Sequence, residues 1–412
     1  MKKLVFRNGI YTVLRPLYYL CKVFGLASYS YVADRRNKTV KADYGYLNHM
    51  FTVIWLIIYT VGLPVHIMTL SSDDSDSQTS FYALILHKIS TYTSSMAAVI
   101  CVSIIKRKMF LEIIENISEV DNKLRFTLQE ETYMNRKVMF NIISEIIVLT
   151  VIECTTIIYN IYRSASEPYY IIVLETIGYV TGICNALIFF QFVNLIFMMK
   201  QRYSHLNKYL NYRINGKVNR PIRLKKQNER CSQSNSAINQ VHITSLHVSS
   251  GGNIEGTLRQ TDIHLLQQIY SELYDITCLI NDTYGIPILA TVCATLTGVV
   301  LSLYDALLYF NEWGVEDLTY GIAFMVLFFK VTFFCHTATN EARNSRILVE
   351  KLLLEGNCRN ECVKQLKMFS LQLQVMNNEY TACGFFSLNL RLFASVVSAI
   401  FSYVIILVQN NK

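Results

Sequence analysis

The sequence predicts an all-α membrane protein: seven transmembrane helices, a cytoplasmic N-terminus, an extracellular C-terminus and a cytoplasmic helical anchor region. Three observations predict it. Of the 412 residues, 52% are hydrophobic and only 17% charged, and the mean hydropathy is +0.28, too apolar for a water-soluble globule. The apolar residues fall in seven blocks. About 20 residues at a rise of roughly 1.5 Å each span a bilayer core of about 30 Å, and each block is of that order. Finally, 33 of the 38 Lys and Arg residues map to the N-terminal segment and the longer connections, all on one side of the blocks. The three turns on the other side hold only Arg163 against Asp73, Asp74, Asp76, Glu167, Glu312, Glu316 and Asp317. The positive-inside rule places the basic side in the cytoplasm.

Residues 1–43 form a cytoplasmic segment. Lys2, Lys3 and Arg7 are like the basic start of a signal peptide, but the apolar run at 17–27 is short and holds Lys22. We read it as an uncleaved helix packed against the bundle. Residues 44–199 carry the first four spans, at about 48–70, 81–105, 138–162 and 169–199. Between spans two and three, residues 109–137 are polar and mixed in charge, a pair of helical extensions.

Residues 200–261 form a cytoplasmic loop, mostly disordered, because from 213 to 256 the composition shifts to Asn, Ser, Gln, Gly and basic residues. Ile263, Leu266, Ile269, Leu273, Ile276 and Ile280 then follow a helical period, an amphipathic anchor helix over 262–287. Spans five and six occupy 288–339. Charged helices with apolar stripes follow over 340–386, and 387–412 is the seventh span.

The chain's 11 cysteines include none in the extracellular turns, so disulfides are not expected there. Cys358 and Cys362 have a metal-like spacing but no histidine beside them, and we assign no metal and no cofactor. The net charge of +8 reflects topology rather than a basic face, and no nucleic-acid partner is implied. The sequons at Asn37, Asn116 and Asn281 lie on the cytoplasmic side and should be unused. No HExxH, P-loop, GxSxG or dinucleotide fingerprint appears, which argues against an enzyme.

Ionisable residues inside a bilayer are costly and point to structure or function. Glu145 and Glu153 lie eight residues apart on one face of span three. Span six carries Lys330 near its middle, so Glu145 and Lys330 are candidates for an intramembrane pair. Glu175 and Tyr179 lie in the outer half of span four, with Asn185, Gln191 and Asn194 lower. Tyr304, Asp305 and Tyr309 sit at the outer end of span five. Aromatic walls with a few acceptors suit a small polyhydroxyl or amphipathic ligand, so Glu153, Glu175, Tyr179, Tyr304, Asp305 and Tyr309 are candidate ligand-binding residues. A packing role for each is the alternative.

The last span ends Ser402-Tyr403-Val404-Ile405-Ile406-Leu407-Val408-Gln409-Asn410. It resembles the end of insect gustatory receptors, where Thr-Tyr and five apolar residues precede Gln-Phe. Ser402 stands in place of the usual threonine and Asn410 in place of the usual phenylalanine. Upstream, Thr381-Ala382-Cys383-Gly384-Phe385-Phe386 is similar to the family's segment before that span. The N-terminal YYLCKVFGLASYSY is similar to the branch of fructose and other internal-nutrient receptors.

The resemblance implies a ligand-gated, non-selective cation channel of four subunits joined through a cytoplasmic anchor, alone or with other gustatory receptors. The seventh spans would line one pore. It implies a small-molecule tastant, a sugar favoured over a bitter compound, and membrane lipid as surroundings in a sensory neuron. Ser402, Ile406 and Gln409, at i, i+4 and i+7, with Asn410 beside them, are then the pore residues. Thr381, Cys383, Gly384 and Tyr403 are the structural and gating motif. The rival readings are a receptor coupled to a cytoplasmic transducer and a secondary transporter, the latter without the internal repeats it requires.

Overall fold

Each apolar block becomes a helix because a segment in lipid must satisfy its backbone hydrogen bonds internally. The computed structural model describes residues 6–34, 39–43, 46–70, 78–124, 128–163, 169–215, 260–308, 314–354 and 360–410. Among them, seven helices are long and apolar enough to cross a membrane.

The chain opens with β1 (Phe6–Arg7), α1 (Asn8–Val23), β2 (Ser30–Asp34) and β3 (Thr39–Asp43), the strands pairing antiparallel in the order β1-β3-β2. The α1 helix ends where Gly25 turns with φ +74°, and Leu26 N–H donates to Cys21 O at 2.7 Å. Only glycine fits there: a Cβ would lie 3.1 Å from Trp55 Cδ1.

Three spans follow: α2 (Tyr46–Leu70), α3 (Gln78–Ala98) and α5 (Leu128–Arg163), with α4 (Met109–Leu124) between the last two. The α3 helix runs into a π-helical segment, Val99–Ile105. Wide turns of this kind leave carbonyls poorly paired. Here Ser28 Oγ donates to Ser103 O at 2.5 Å, while Ser103 Oγ and Thr52 Oγ1 both donate to Gly25 O. The end of α1 is thereby stapled to α2 and to the π-helical segment.

Two very long helices, α6 (Tyr169–Asn215) and α7 (Gln260–Leu308), and the shorter α8 (Gly314–Leu354) form the centre. The most extensive packing is α6 on α8, and α7 lies against α3 and α8. From Cys184 to Leu195 every residue of α6 is buried. By contrast α2 exposes Val53, Ile54, Ile57 and Val61, and α5 exposes Ile143, Ile147, Val148 and Val151. Apolar faces turned outward in this way belong against lipid.

The helix α6 stays helical through residues 200–215, within the stretch expected as loop, because Tyr203, Leu206, Tyr209 and Leu210 recur at helical spacing and are buried. The rest of that expected loop, 216–259, lies outside the described residues. The helix α7 runs unbroken through Pro287, so the amphipathic segment and span five form one rod.

Beyond the spans, α4, the extensions of α6, α7 and α8, and α9 (Asn360–Val375) gather at one end, the anchor end. Arg202, only 2% exposed, there reaches Asp121 of α4 through Nε at 2.9 Å and Nη2 at 2.6 Å, a bidentate pair. Its Nη1 donates to Met198 O, so the buried charge is well satisfied. A hairpin of β4 (Thr381–Ala382) and β5 (Phe386–Ser387) leads into α10 (Leu390–Asn410).

Candidate functional site

Val396, Ile400 and Val404 recur every four residues along α10 and are its buried positions, set against α7 and α8. The opposite side carries Ser395, Ser398, Ala399, Ser402, Ile406 and Gln409, all exposed. These six share one face at spacings of three, four and seven. Ser395 Oγ donates to Arg391 O and Ser402 Oγ to Ser398 O, both at 3.0 Å. Their hydrogens are used inside the helix, so each presents oxygen lone pairs outward. Tyr403 is exposed on a flank, and Asn410 is the last helical residue, its side chain outside the described set.

The hairpin that delivers the chain to α10 is pinned to α7. Asn281 Nδ2 donates to Glu379 O at 2.8 Å, and its Oδ1 accepts from Thr381 N at 3.1 Å. Both ends of the Asn281 amide are thus engaged. Cys383 and Gly384 form the tip with φ of +52° and +74°. Two successive left-handed residues match the tight turn that hairpin strands need. The tip presses on α7 at Gly285, where a Cβ would lie 3.0 Å from Cys383 N and 3.1 Å from its Sγ. Partial desolvation, with the Asp282 carboxylate adding, pushes the thiol of the otherwise exposed Cys383 above its ordinary value.

Midway along the spans, three helices meet on one carboxylate. Lys330 of α8 places Nζ 2.6 Å from Glu145 Oε1. Asn141 Nδ2 donates to the same oxygen at 2.9 Å, and Asn194 Nδ2 of α6 donates to Oε2 at 2.6 Å. Asn141 also donates to Asn194 Oδ1 at 2.9 Å, closing the network. Glu145 is 4% exposed with both oxygens occupied.

Two turns further along α5, Glu153 is 5% exposed and its Oε2 meets no hydrogen-bond partner among the described residues. Of the other candidate acceptors, Tyr179 on α6 is half-buried and Tyr304 on α7 is fully buried. Glu175 and Asp305 lie in α6 and α7 with side chains outside the described set, and Tyr309 is outside the described residues.

The structure adds a pocket in the half of the bundle away from the anchor end. Its enclosed space is about 10 Å³, room for about one water, and it lies among α3, α6, α7 and α8. His87, Thr91, Asn185, Ala294, Thr295, Gly298, Val299, Gly321 and Phe324 line it. Of the candidate acceptors whose side chains are described, Glu153, Tyr179 and Tyr304, none is in that lining.

Of the lining residues, sequence reading noted only Asn185, as a polar position in span four. His87 and the neighbouring Lys88 were the available signal, two basic residues inside an apolar block. The Lys88 ammonium lies 3.5 Å from where a Gly178 Cβ would be, which brings α3 hard against α6.

Comparison with known proteins places this geometry. A model of the 7tm chemosensory receptor family matches residues 14–410. The fold is similar to that of the insect olfactory receptor OR5 from Machilis hrabei, with a TM-score of 0.71 at 11% identity, covering 97% of this chain and 98% of that one. The same receptor in complex with eugenol matches with a TM-score of 0.66, also at 11% identity and over the same shares of the two chains. Among curated proteins none matches the sequence. The match over nearly the whole length, on a bundle of seven apolar helices, makes the chain a multi-pass membrane receptor rather than an enzyme, and it belongs to the 7tm chemosensory receptor family.

Proposed function

We propose that the chain is a subunit of a tastant-gated, non-selective cation channel of the gustatory type, at the plasma membrane of a sensory neuron. Four copies, alone or with other gustatory receptors, join at the anchor end, which lies in the cytoplasm with the N-terminus. The four α10 helices line the pore, their C-termini outside. The observation that carries this reading is the two-faced α10 helix: Val396, Ile400 and Val404 hold it to its own subunit, while serines, Ile406 and Gln409 stay uncovered. A ring of Ile406 side chains closes by dewetting, and Gln409 with Asn410 at the mouth replaces part of an ion's hydration. Serine oxygens facing outward offer further acceptors along the path.

A ligand can open such a channel only by binding the open state more tightly. That the similar olfactory receptor has been solved with eugenol supports a small-molecule ligand. The pocket among α3, α6, α7 and α8 is the proposed site, and Glu153, Glu175, Tyr179, Tyr304, Asp305 and Tyr309 are the proposed ligand-binding residues. Thr381, Cys383, Gly384 and Tyr403 carry the motion to the pore, and Glu145 with Lys330 holds the frame. The N-terminal resemblance favours a sugar, and a bitter compound is the alternative. A receptor that signals through a transducer without its own pore is the second reading.

Expressed alone and challenged with a tastant panel, the receptor should pass ligand-evoked current. Ile406→Ala should raise current without ligand, and Gln409→Ala should change the relative permeability of monovalent and divalent cations. Evoked current indifferent to both substitutions contradicts the pore assignment, and a response that vanishes without G protein favours the second reading.

A further inference from the structure

Three basic residues follow the π-helical segment, and each is used differently. Lys106 Nζ lies 2.6 Å from Asp282 Oδ2 of α7 and is neutralised there. Arg107 turns to α2 instead, where its Nη1 donates to His49 Nε2 at 2.7 Å. Lys108, next in the chain, is exposed. For His49 Nε2 to accept from a guanidinium, the ring hydrogen must sit on Nδ1, which makes that edge a donor. An oriented guanidinium fork, an imidazole N–H and an ammonium thus come from the start of α2 and the end of the π-helical segment, and these are the groups that hold a phosphate.

Two aromatic side chains mark the depth. Trp55, six residues along α2 from His49, donates its Nε1 hydrogen to Val23 O at 2.7 Å. Phe24 stacks on it with ring centroids 5.7 Å apart. Tryptophan settles at the boundary between membrane and water. Six residues of helix rise about 9 Å, which carries His49 and Arg107 from that boundary to the level of lipid phosphates.

Inward from the charges the surface is apolar and uncovered. Met50, Ile54, Ile57 and Val61 share one face of α2 and are all exposed, as are Ile104 and Ile105 of the π-helical segment. A stripe that starts beside His49 and runs into the membrane is a track for an acyl chain. The staple through Gly25, Thr52 and Ser103 lies one turn inward from the His49–Arg107 bond and fixes the two helix ends to each other.

We propose that the junction of α2 and the π-helical segment binds one anionic phospholipid, its phosphate on Arg107, His49 and Lys108 and an acyl chain along the stripe from Met50 to Val61. A choline headgroup would bring a cation against these positive groups, and an anionic headgroup does not. The inference rests on the basic end facing the cytoplasmic leaflet, where anionic lipids are concentrated, and is independent of the pore.

The test uses the purified full-length receptor in nanodiscs of phosphatidylcholine, alone or with phosphatidylinositol added. It reads the shift in melting temperature and the lipid retained in native mass spectra. The unaltered receptor should melt higher with phosphatidylinositol and retain it. Inorganic phosphate added to phosphatidylcholine discs should give no shift, since it has no chain for the stripe.

Arg107→Lys keeps the charge and loses the fork, so it should need several-fold more phosphatidylinositol for the same shift. Lys108→Gln should need about fivefold more, the effect of one basic residue at a lipid surface. Lys108 is exposed, so this variant tests the site even where Arg107→Lys disturbs the fold. Lys208→Gln removes the same charge from an exposed position on α6 and should change nothing. Each variant is compared with itself in plain phosphatidylcholine, so a general loss of stability does not imitate the effect. Equal losses in Lys108→Gln and Lys208→Gln, or an unchanged lipid requirement in Arg107→Lys, would mean diffuse attraction and overturn the inference. A full shift with inorganic phosphate, or none with phosphatidylinositol, overturns it as well.

Discussion

Glu145 can keep a charge in the middle of the bundle because Lys330, Asn141 and Asn194 take up its two oxygens. Removing one partner of a buried pair leaves the other uncompensated, at about 3–5 kcal/mol. Lys330→Met should therefore lower the melting temperature of the purified receptor sharply, while Glu145→Gln/Lys330→Met should recover most of the loss, because Asn194 can still donate to the amide oxygen. Equal losses in the single and double variants would contradict a charge-specific role.

Glu145 and Lys330 were legible in the sequence as charges interrupting apolar runs. Asn194, which donates to Glu145, was visible only as one more polar residue in span four. The His87–Gly298 contact was not legible at all, since the two lie 211 residues apart and their meeting depends on how α3 docks on α7. A glycine's role shows only when the atom opposite it is known.

At the level of elements, the spans were readable because lipid demands unbroken helix over an apolar run, and a run of that length shows in any window. Their extensions were readable where burial leaves a stripe, as at Ile263, Leu266, Ile269 and Leu273, all of which are buried. The stripe at Tyr203, Leu206 and Tyr209 gives the same signal but ends in the polar segment that masked it.

The β4–β5 hairpin could not be read, because two strands of two residues carry no period. Yet this small element joins α7 to α10. Gly285→Ala puts a carbon 3.0 Å from Cys383 N, so the hairpin tip must lift or the helix must shift. We expect normal assembly, with the ligand concentration for half-maximal current displaced several-fold. An unchanged concentration dependence would show that the hairpin transmits nothing from α7 to α10.

For the whole molecule, the apolar faces of α2 and α5 turn outward to lipid, while α6, α7 and α8 make a packed centre. The chain folds its own core without the uncovered face of α10. That face was legible as a stripe repeating Ser402, Ile406 and Gln409 at i, i+4 and i+7, but which side its own subunit covers was not. The repeat alone says that something packs closely or flows past, and only the burial of Val396, Ile400 and Val404 decides which side is left.

The most direct measurement places single cysteines at Ser402, Ile406, Gln409 and, as the inward-facing control, Val404. A charged thiol reagent is applied from outside, with and without ligand, against the background of the exposed Cys154, Cys278, Cys293 and Cys383. The account predicts ligand-dependent block at 402 and 406, block at 409 in both conditions, and none at 404. Block at 404 with silence at 406 and 409 would contradict a pore lined by this face of α10.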